Sequence, residues 1–227
     1  MQINSDFSRR VVVHSAKLDW AASPMRGVER RMLDRIGDEV ARATSLVRYA
    51  PGSRFSAHVH EGGEEFLVLE GVFQDENGNY PEGSYVRNLP QSKHTPASHA
   101  GCVIFVKLWQ FDPVDRTHIH IDTTKIALSY DRRFSGVTVT PLFRDAHEDV
   151  RLETWNGDLN IDYEPSGGAE FFVIKGEFLE SGNTLVEHSW LRLPIGARLR
   201  AKAGKDGCKV WIKEGHLRHV RVPEAAR

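Results

Sequence analysis

The sequence predicts an all-β protein made of two similar β domains in tandem. Short apolar segments are separated by turn-forming residues every eight to twelve positions or so, a spacing typical of sandwiches and barrels. Helical periodicity is nearly absent, and Glu29 to Ala43 is the only ambiguous stretch. Three segments of the first half also recur in the second half, which indicates a duplication rather than one large domain.

The first half is a succession of strands bounded by glycine, proline and other turn formers. Pro51-Gly52 ends one strand, and the run from Asp75 to Gly83 connects two others. Residues 1–10 are polar, and we expect them to be loosely held. The predicted strands, in order, lie at Val11–Val13, Val28–Leu33, Ala43–Tyr49, Glu65–Leu69, Val72–Phe73, Tyr85–Val86 and Gly101–Trp109.

The repeated segments keep their order at offsets of 104 to 106 residues. They are Gly62–Phe73 with Gly167–Phe178, Arg87–Pro90 with Leu191–Pro194, and Gly101–Lys107 with Gly207–Lys213. We therefore predict a flexible N-terminus over 1–10, a first domain over 11–115 and a second domain over 116–227. Cys102 and Cys208 begin equivalent strands, so we interpret both as packing residues.

The most informative stretch is a candidate metal-binding hairpin. His58 and His60 are two residues apart, so on a strand their side chains point to the same face. Gly62-Gly63 turns the chain, and an acidic residue follows at once. Imidazole and carboxylate together suit a divalent transition metal. A further ligand is expected from elsewhere in the first domain.

The duplication serves as an internal control for this hairpin. The second copy has Asn160 to Asp162 in place of His58 to His60 on one alignment, and Tyr163 to Pro165 on the ungapped one. The position of His94 falls near Arg198. The second domain thus keeps the glycines and lacks the imidazoles, so we predict a metal site in the first domain alone.

Two adjacent acids compete for the role of carboxylate ligand. Strand alternation allows only one of Glu64 and Glu65 to face the histidines. Glu65 corresponds to Glu170 in the second copy, whereas Glu64 corresponds to Ala169. A residue kept in the copy without a site is interpreted as structural, so Glu64 is the favoured ligand.

These residues resemble the cupin superfamily. Its first motif is similar to Gly52–Gly71, and its second to the segment from Gly83 through Leu89-Pro90 to His94, although Leu89 and Gln91 stand where proline and glycine are common. The resemblance makes His94 the preferred fourth ligand over His99. It implies a bicupin of two jelly-roll barrels, the first holding a metal through the ligands His58, His60, Glu64 and His94.

In detail, Glu64–Glu76 is similar to the ChrR-type cupins, the C-terminal sensory domains of a zinc-dependent anti-sigma factor. This resemblance implies a sensory or regulatory module with zinc as the expected metal. Four protein ligands close a tetrahedral zinc, whereas octahedral iron, manganese or nickel keeps two positions open. The alternative is therefore an Fe(II)-dependent cupin dioxygenase acting on a small diketone or hydroxyketone, and the residues alone do not decide whether the chain is an enzyme.

Several classes of partner are not expected. ChrR-type anti-sigma factors grip the sigma factor with a helical zinc domain containing Cys-x-x-Cys, and no cysteine here precedes Cys102, so that contact is not expected. The balance of 30 basic and 31 acidic residues argues against nucleic acid, and no apolar run suits a membrane span. The start of the sequence lacks a signal-peptide pattern, so we expect a cytoplasmic location. We expect a homodimer and a small-molecule ligand at the metal.

A second His-x-His pattern, His118 and His120, lacks the preceding glycine, the Gly-Gly turn and the partner acid. We interpret it as a linking strand with surface histidines. His99 lies close to His94 in sequence, so we expect it near the mouth of the barrel.

Overall fold

The computed structural model describes residues 1–224, and within them it is almost entirely β-structure. No α-helix occurs in that range, and 3₁₀ turns lie at Ser15–Lys17 and His216–His219. The described residues therefore contain no helix long and apolar enough to cross a membrane. The predicted all-β class is confirmed.

The strands fall into two series that follow each other along the chain. The first series comprises β1 (Gln2–Ile3), β2 (Val11–His14), β3 (Ala21–Ala22), β4 (Val28–Gly37), β5 (Ala41–Tyr49), β6 (Ser53–Arg54), β7 (His58–His60), β8 (Glu64–Asp75), β9 (Gly78–Pro81), β10 (Ser84–Asn88), β11 (Ser92–His94), β12 (Ala97–Ser98) and β13 (Cys102–Leu108). The second comprises β14 (Ile119–Asp122), β15 (Ser129–Tyr130), β16 (Val137–Arg144), β17 (Asp149–Trp155), β18 (Asn160–Tyr163), β19 (Ala169–Glu180), β20 (Asn183–Leu185), β21 (Ser189–Leu193) and β22 (Leu199–Glu214). The ambiguous stretch from Glu29 to Ala43 lies in β4, β5 and the turn between them.

The chain divides into two compact units, and their boundaries correct the predicted ones. The first unit contains Met1–Ser5, Leu18–Lys125 and the segment from Arg221, and the second contains Asp6–Lys17 and Ile126–Val220. The N-terminal residues expected to be loose are built into these units. Strand β1 pairs with β4, and the Arg10 guanidinium contacts the buried Glu180 carboxylate within the second unit.

The two units have the same sheet order, and this explains the shifted boundaries. The first sheet runs β1-β4-β5-β13-β8-β10-β14, and the second runs β15-β16-β17-β22-β19-β21-β2. Strands β2 and β14 therefore occupy equivalent terminal positions, each beside the strand that carries the second motif or its counterpart. Each half of the chain thus contributes one strand near its start to the sheet of the other half. The sequence-based boundaries assigned each strand to the domain of its neighbours along the chain. They therefore differ from the bounds of the two units.

Each unit is a jelly-roll barrel closed around its own apolar core. Alternate residues of the strands point inward, so the first core contains Phe66, Val68, Val86, Ile104 and Val106. The second core contains the corresponding side chains of β19, β21 and β22, including Phe171, Val173, Leu191, Val210 and Ile212. The described residues thus form two jelly-roll barrels, as predicted.

On the opposite sheet face, both units bury an acid between two basic residues. Glu65 pairs across the sheet with Lys107 on one side and Arg87 on the other, and Glu170 pairs in the same way with Lys213 and Arg192. In the first unit the Tyr85 hydroxyl donates a hydrogen bond to Glu65 at 2.7 Å. In the second, the Trp190 indole N–H donates one to Glu170 at 3.1 Å. Because buried charges need partners, this arrangement belongs to the scaffold of both barrels.

The inner face of the second barrel carries a buried arginine at one end. Arg151 lies directly opposite Ile212 and four residues before Trp155, and both of these residues belong to the second core. Its side chain is 8% exposed, and its nitrogen atoms contact three carboxylates. These contacts are Asp149 at 3.2 Å, Glu153 at 2.7 Å and Glu214 at 3.2 Å.

Electrostatics hold this guanidinium in its charged form. Burial on its own would lower the pKa of Arg151, but the charges of Glu153 and Glu214 and the Tyr163 phenol outweigh it, so the pKa is raised. The Tyr163 hydroxyl lies 3.4 Å from Nη2 of Arg151. Arg151 thus gives all three carboxylates a common counter-charge, and the Arg133 guanidinium adds a second positive charge 3.5 Å from Glu153.

Replacing Arg151 by methionine would remove the closest counter-charge of the buried Glu153 carboxylate. We expect the free energy of unfolding of the second unit to fall by about 3–5 kcal/mol. Arg144→Met is the matched control, because the Arg144 side chain is 81% exposed and its 3.5 Å ion pair with Asp149 is at the surface; we expect about 0.5 kcal/mol or less there. Urea unfolding followed by tryptophan fluorescence measures both, and equal midpoints for the two variants would contradict the prediction.

Candidate metal centre

Three imidazoles share one face of the small sheet formed by β7 and β11. These strands pair antiparallel, so that His94 lies opposite His58 and Ser92 lies opposite His60. Directly opposed residues point to the same side of a sheet, which brings His58, His60 and His94 together. The other side of this sheet faces solvent, as the 46% exposure of Val59 indicates.

A tight turn before β11 aims His94 at the other two histidines. The Ser92 N–H donates to the carbonyl of Leu89 at 3.0 Å, and the Gln91 N–H donates to the carbonyl of His60 at 2.9 Å. Gln91 has a φ of 70°, in the left-handed region that favours glycine. Gln91 thus adopts, in this turn, a backbone conformation that glycine adopts more easily.

The Gly62-Gly63 turn carries the chain from the histidines to Glu64. A Cβ atom at Gly62 would lie 2.3 Å from the Trp109 ring, and one at Gly63 would lie 2.2 Å from the Phe111 ring. Gly63 also has a φ of 77°. Side chains are therefore excluded at both positions, and β8 begins with Glu64 on the inner face.

The Glu64 carboxylate completes a cluster of four potential ligands. Its Oε2 atom lies 3.5 Å from Nε2 of His60 and 3.5 Å from Nε2 of His94. These two Nε2 atoms are 2.8 Å apart. The ligand nitrogens of the three histidines all lie within 4.8 Å of one another. Three nitrogen donors and a carboxylate at this spacing fit a divalent transition metal.

Charge at the centre favours metal-ligating forms of two of these residues. Burial lowers the pKa of His60 to about 4, with the other imidazoles acting in the same direction, so His60 is neutral at pH 7. Burial on its own would raise the pKa of Glu64, but His60, His94 and a hydrogen bond from Asn88 outweigh it, and the pKa is lowered. Neutral imidazole and ionised carboxylate are the forms that bind a metal.

Hydrogen bonds from outside the cluster orient the ligands. Nδ1 of His94 lies 3.2 Å from Oδ2 of Asp75, and Nδ1 of His58 lies 2.9 Å from the carbonyl of Ser56. Both contacts leave Nε2 directed at the cluster. Asn88 donates a hydrogen bond to Oε2 of Glu64 at 3.1 Å. Each of these contacts restricts the rotation of one ligand.

Glu64, not Glu65, faces the histidines. Glu64 lies opposite Asn88 of β10 and Leu108 of β13. Glu65 points to the other face of the sheet, where its carboxylate accepts a hydrogen bond from Tyr85. The structure therefore places the Glu64 carboxylate beside the histidines and the Glu65 carboxylate beside Tyr85.

The second barrel has no equivalent donor set among the described residues. Tyr163 pairs with Leu199 as His58 pairs with His94, which supports the ungapped alignment and puts Leu199, not Arg198, at the position of His94. Ala169 lies at the start of β19 as Glu64 lies at the start of β8, opposite Glu214. Apolar side chains thus replace ligands in this barrel.

The remaining histidines of the first half lie outside the cluster. His99 is exposed, and its backbone N–H donates to the Gln74 side chain at 2.8 Å. His118 and His120 are exposed, and His120 lies on β14 with its ring 4.8 Å from that of Tyr80. The predicted strand with surface histidines is what the structure contains, although it completes the first sheet and is more than a linker.

Sequence reasoning missed Asp75, Asn88 and Ser92. Asp75 was assigned only to a turn, and its proximity to His94 depends on the length and curvature of β8. Asn88 and Ser92 could have been found from strand alternation, because Asn88 is two residues after the inward-facing Val86 and Ser92 is two before His94.

Comparisons with known proteins agree with this description. The family model of the ChrR cupin-like domain matches residues 8–112. A search of curated proteins gave no match to the chain.

Solved structures share the fold over nearly the whole chain. A candidate dioxygenase from Nostoc punctiforme has a TM-score of 0.76 at 14% identity, covering 95% of this chain and 86% of that protein. Ylba from E. coli has a TM-score of 0.70 at 14% identity, covering 95% and 94%. The pirin YhhW from Escherichia coli, in complex with nickel(II), has a TM-score of 0.64 at 13% identity, covering 91% and 98%. Identities this low show the fold alone.

Family match, barrel topology and structural likeness lead to one conclusion. Residues 8–112 match the ChrR cupin-like family, and the chain as a whole has the fold of the cupin structures to which it is similar.

Proposed function

We propose that the first barrel binds one divalent transition metal through His58, His60, Glu64 and His94. The observation that carries this proposal is the convergence of three imidazoles and one carboxylate at the inner end of the barrel. Burying polar groups costs free energy unless they bind a partner, and a single metal ion could serve all four of these residues. The second barrel, with Leu199 and Ala169 at two of the four positions, would bind none.

The regulatory role is the first candidate. The match to the ChrR cupin-like family over residues 8–112 supports a sensory or regulatory module. Zinc with four protein donors would be a closed, tetrahedral site, which suits a sensor better than a catalyst. In that role, the bound metal would report on metal supply or on a small molecule that reaches the barrel.

A metal-dependent dioxygenase is the second candidate. The structural similarity to the candidate dioxygenase from Nostoc punctiforme, over 95% of the chain, supports this second candidate. An octahedral metal with the same four protein donors would retain two positions and could act there as a Lewis acid toward an oxygen ligand. The chain itself would position the metal through Asp75 and Asn88 and would exclude water with the Phe66 and Phe73 rings of the core.

Elemental analysis of protein purified without added metal tests the proposal directly. We expect about one metal ion per chain, and its loss in His58→Ala, because the binding free energy depends on the full donor set. His118→Ala is the matched control, since it removes one exposed histidine of the other His-x-His pattern, and it should keep the metal. Two ions per chain, or equal loss in the control, would contradict the proposal.

The two adjacent acids give a second test. Glu64→Gln removes the charged oxygen beside His60 and His94, so we expect metal affinity to fall by at least about tenfold. Glu65→Gln changes the scaffold contact with Tyr85, so it should lower stability and leave metal affinity near the wild-type value. Competition with a chromophoric chelator measures affinity, and thermal unfolding measures stability. The reverse pattern would show that Glu65 is the ligand.

Metal identity combined with oxygen uptake separates the two candidate roles. The regulatory module predicts stoichiometric zinc and no oxygen consumption with a panel of diketones and hydroxyketones. The dioxygenase predicts iron, and oxygen consumption that disappears in His58→Ala. An oxygen electrode records the uptake, and metal-free protein is the blank.

A further inference from the structure

One hydroxyl group at the candidate metal centre has no partner among the described residues. Oγ of Ser92 is buried and makes no hydrogen bond to them. A buried hydroxyl without a partner costs free energy. Beside a cluster of potential metal ligands, such a group is available to a further ligand that binds there.

The strand register shows where this hydroxyl points. Ser92 lies directly opposite His60 in the β7 and β11 pair, and two residues before His94 on the same strand. Both relations put its side chain on the face that carries the three imidazoles. The neighbouring residue Lys93 points to the other face and is exposed.

We propose that Ser92 donates a hydrogen bond to an exchangeable anionic ligand bound at this centre. This inference rests on the proposed metal site and deepens it by naming the ligand class. The nearby ligands cannot satisfy the hydroxyl, since it has no contact to His60, His94 or Glu64 within hydrogen-bond distance. A small anion, or a substrate that binds through a carboxylate or enolate oxygen, would accept this hydrogen bond.

The surroundings select for the size and polarity of that ligand. The Phe55 ring lies 4.9 Å from the His58 ring, and the Phe73 ring lies 6.1 Å from the His94 ring. These apolar rings favour a compact ligand whose polar atoms converge on the centre. Ser92 would therefore discriminate between ligands that present an anionic oxygen or nitrogen at this point and ligands that do not.

Azide titrated into the cobalt(II)-loaded full chain tests the inference, with the cobalt d–d spectrum as the readout. We expect Ser92→Ala to weaken azide binding by about tenfold, as for the loss of a hydrogen bond to a charged group. Ser92→Thr keeps a hydroxyl and should remain near the wild-type affinity. The cobalt content, measured on each variant, should be unchanged.

Ser84→Ala is the matched control. Ser84 also has a buried hydroxyl without a partner, and it lies on β10 four residues before Asn88, which places it about 13 Å from the end that carries Glu64. Azide affinity should not change in this variant. The metal-free Ser92→Ala protein should also melt at the wild-type temperature or higher, whereas a purely structural hydroxyl would lower it.

Three results would be decisive against these ideas. Unchanged azide affinity in Ser92→Ala would overturn the role of Ser92 while leaving the metal site intact. A wild-type cobalt protein whose spectrum does not respond to azide would do the same, because no exchangeable position would exist. Wild-type protein that binds no cobalt would overturn the proposed metal site, and the role of Ser92 with it.

Discussion

The antiparallel pairing of β7 with β11 is the constraint on which the candidate site depends. The pairing aligns His58 with His94 and His60 with Ser92, so that four polar side chains share one inward face. A shift by a single residue would turn that whole set toward solvent, because side chains alternate along a strand. The turn at Gln91 and the Gly62-Gly63 turn hold this register at the end where His60 lies opposite Ser92, because Gln91 and Gly63 both donate a backbone hydrogen bond to the carbonyl of His60.

The two barrels show how one scaffold carries two different interiors. Both keep the acid that lies between a lysine and an arginine, and both keep paired glycines before the long central strand. In the second barrel, however, Arg151 supplies a fixed positive charge among Glu153 and Glu214. A guanidinium is always charged, so it pairs with these acids without a bound ion. The second interior thus holds its acids with side chains of its own, whereas the first brings together imidazoles and a carboxylate that suit a metal.

Some residues around the metal donors orient them, and another is placed to contact a further ligand. Asp75 and Asn88 contact His94 and Glu64, and so they restrict the ligands rather than the space in front of them. Ser92 differs from both because its hydroxyl has no protein partner. Three ligands oriented by hydrogen bonds, beside a hydroxyl with no partner among the described residues, are the arrangement expected of a centre that binds something more than a metal.

The sequence by itself determined the all-β class, the duplication, and His58, His60, Glu64 and His94 as candidate ligands. These follow from local rules: strand alternation, glycine turns, and the loss of Glu64 but not Glu65 in the second copy. Only the tertiary structure decided that β2 pairs in the second sheet and β14 in the first. It also decided that Asp75 reaches His94 and that Arg151 lies in the interior of the second barrel. Those relations join residues far apart in the chain, and their pairing depends on how the sheets close, which no local pattern encodes.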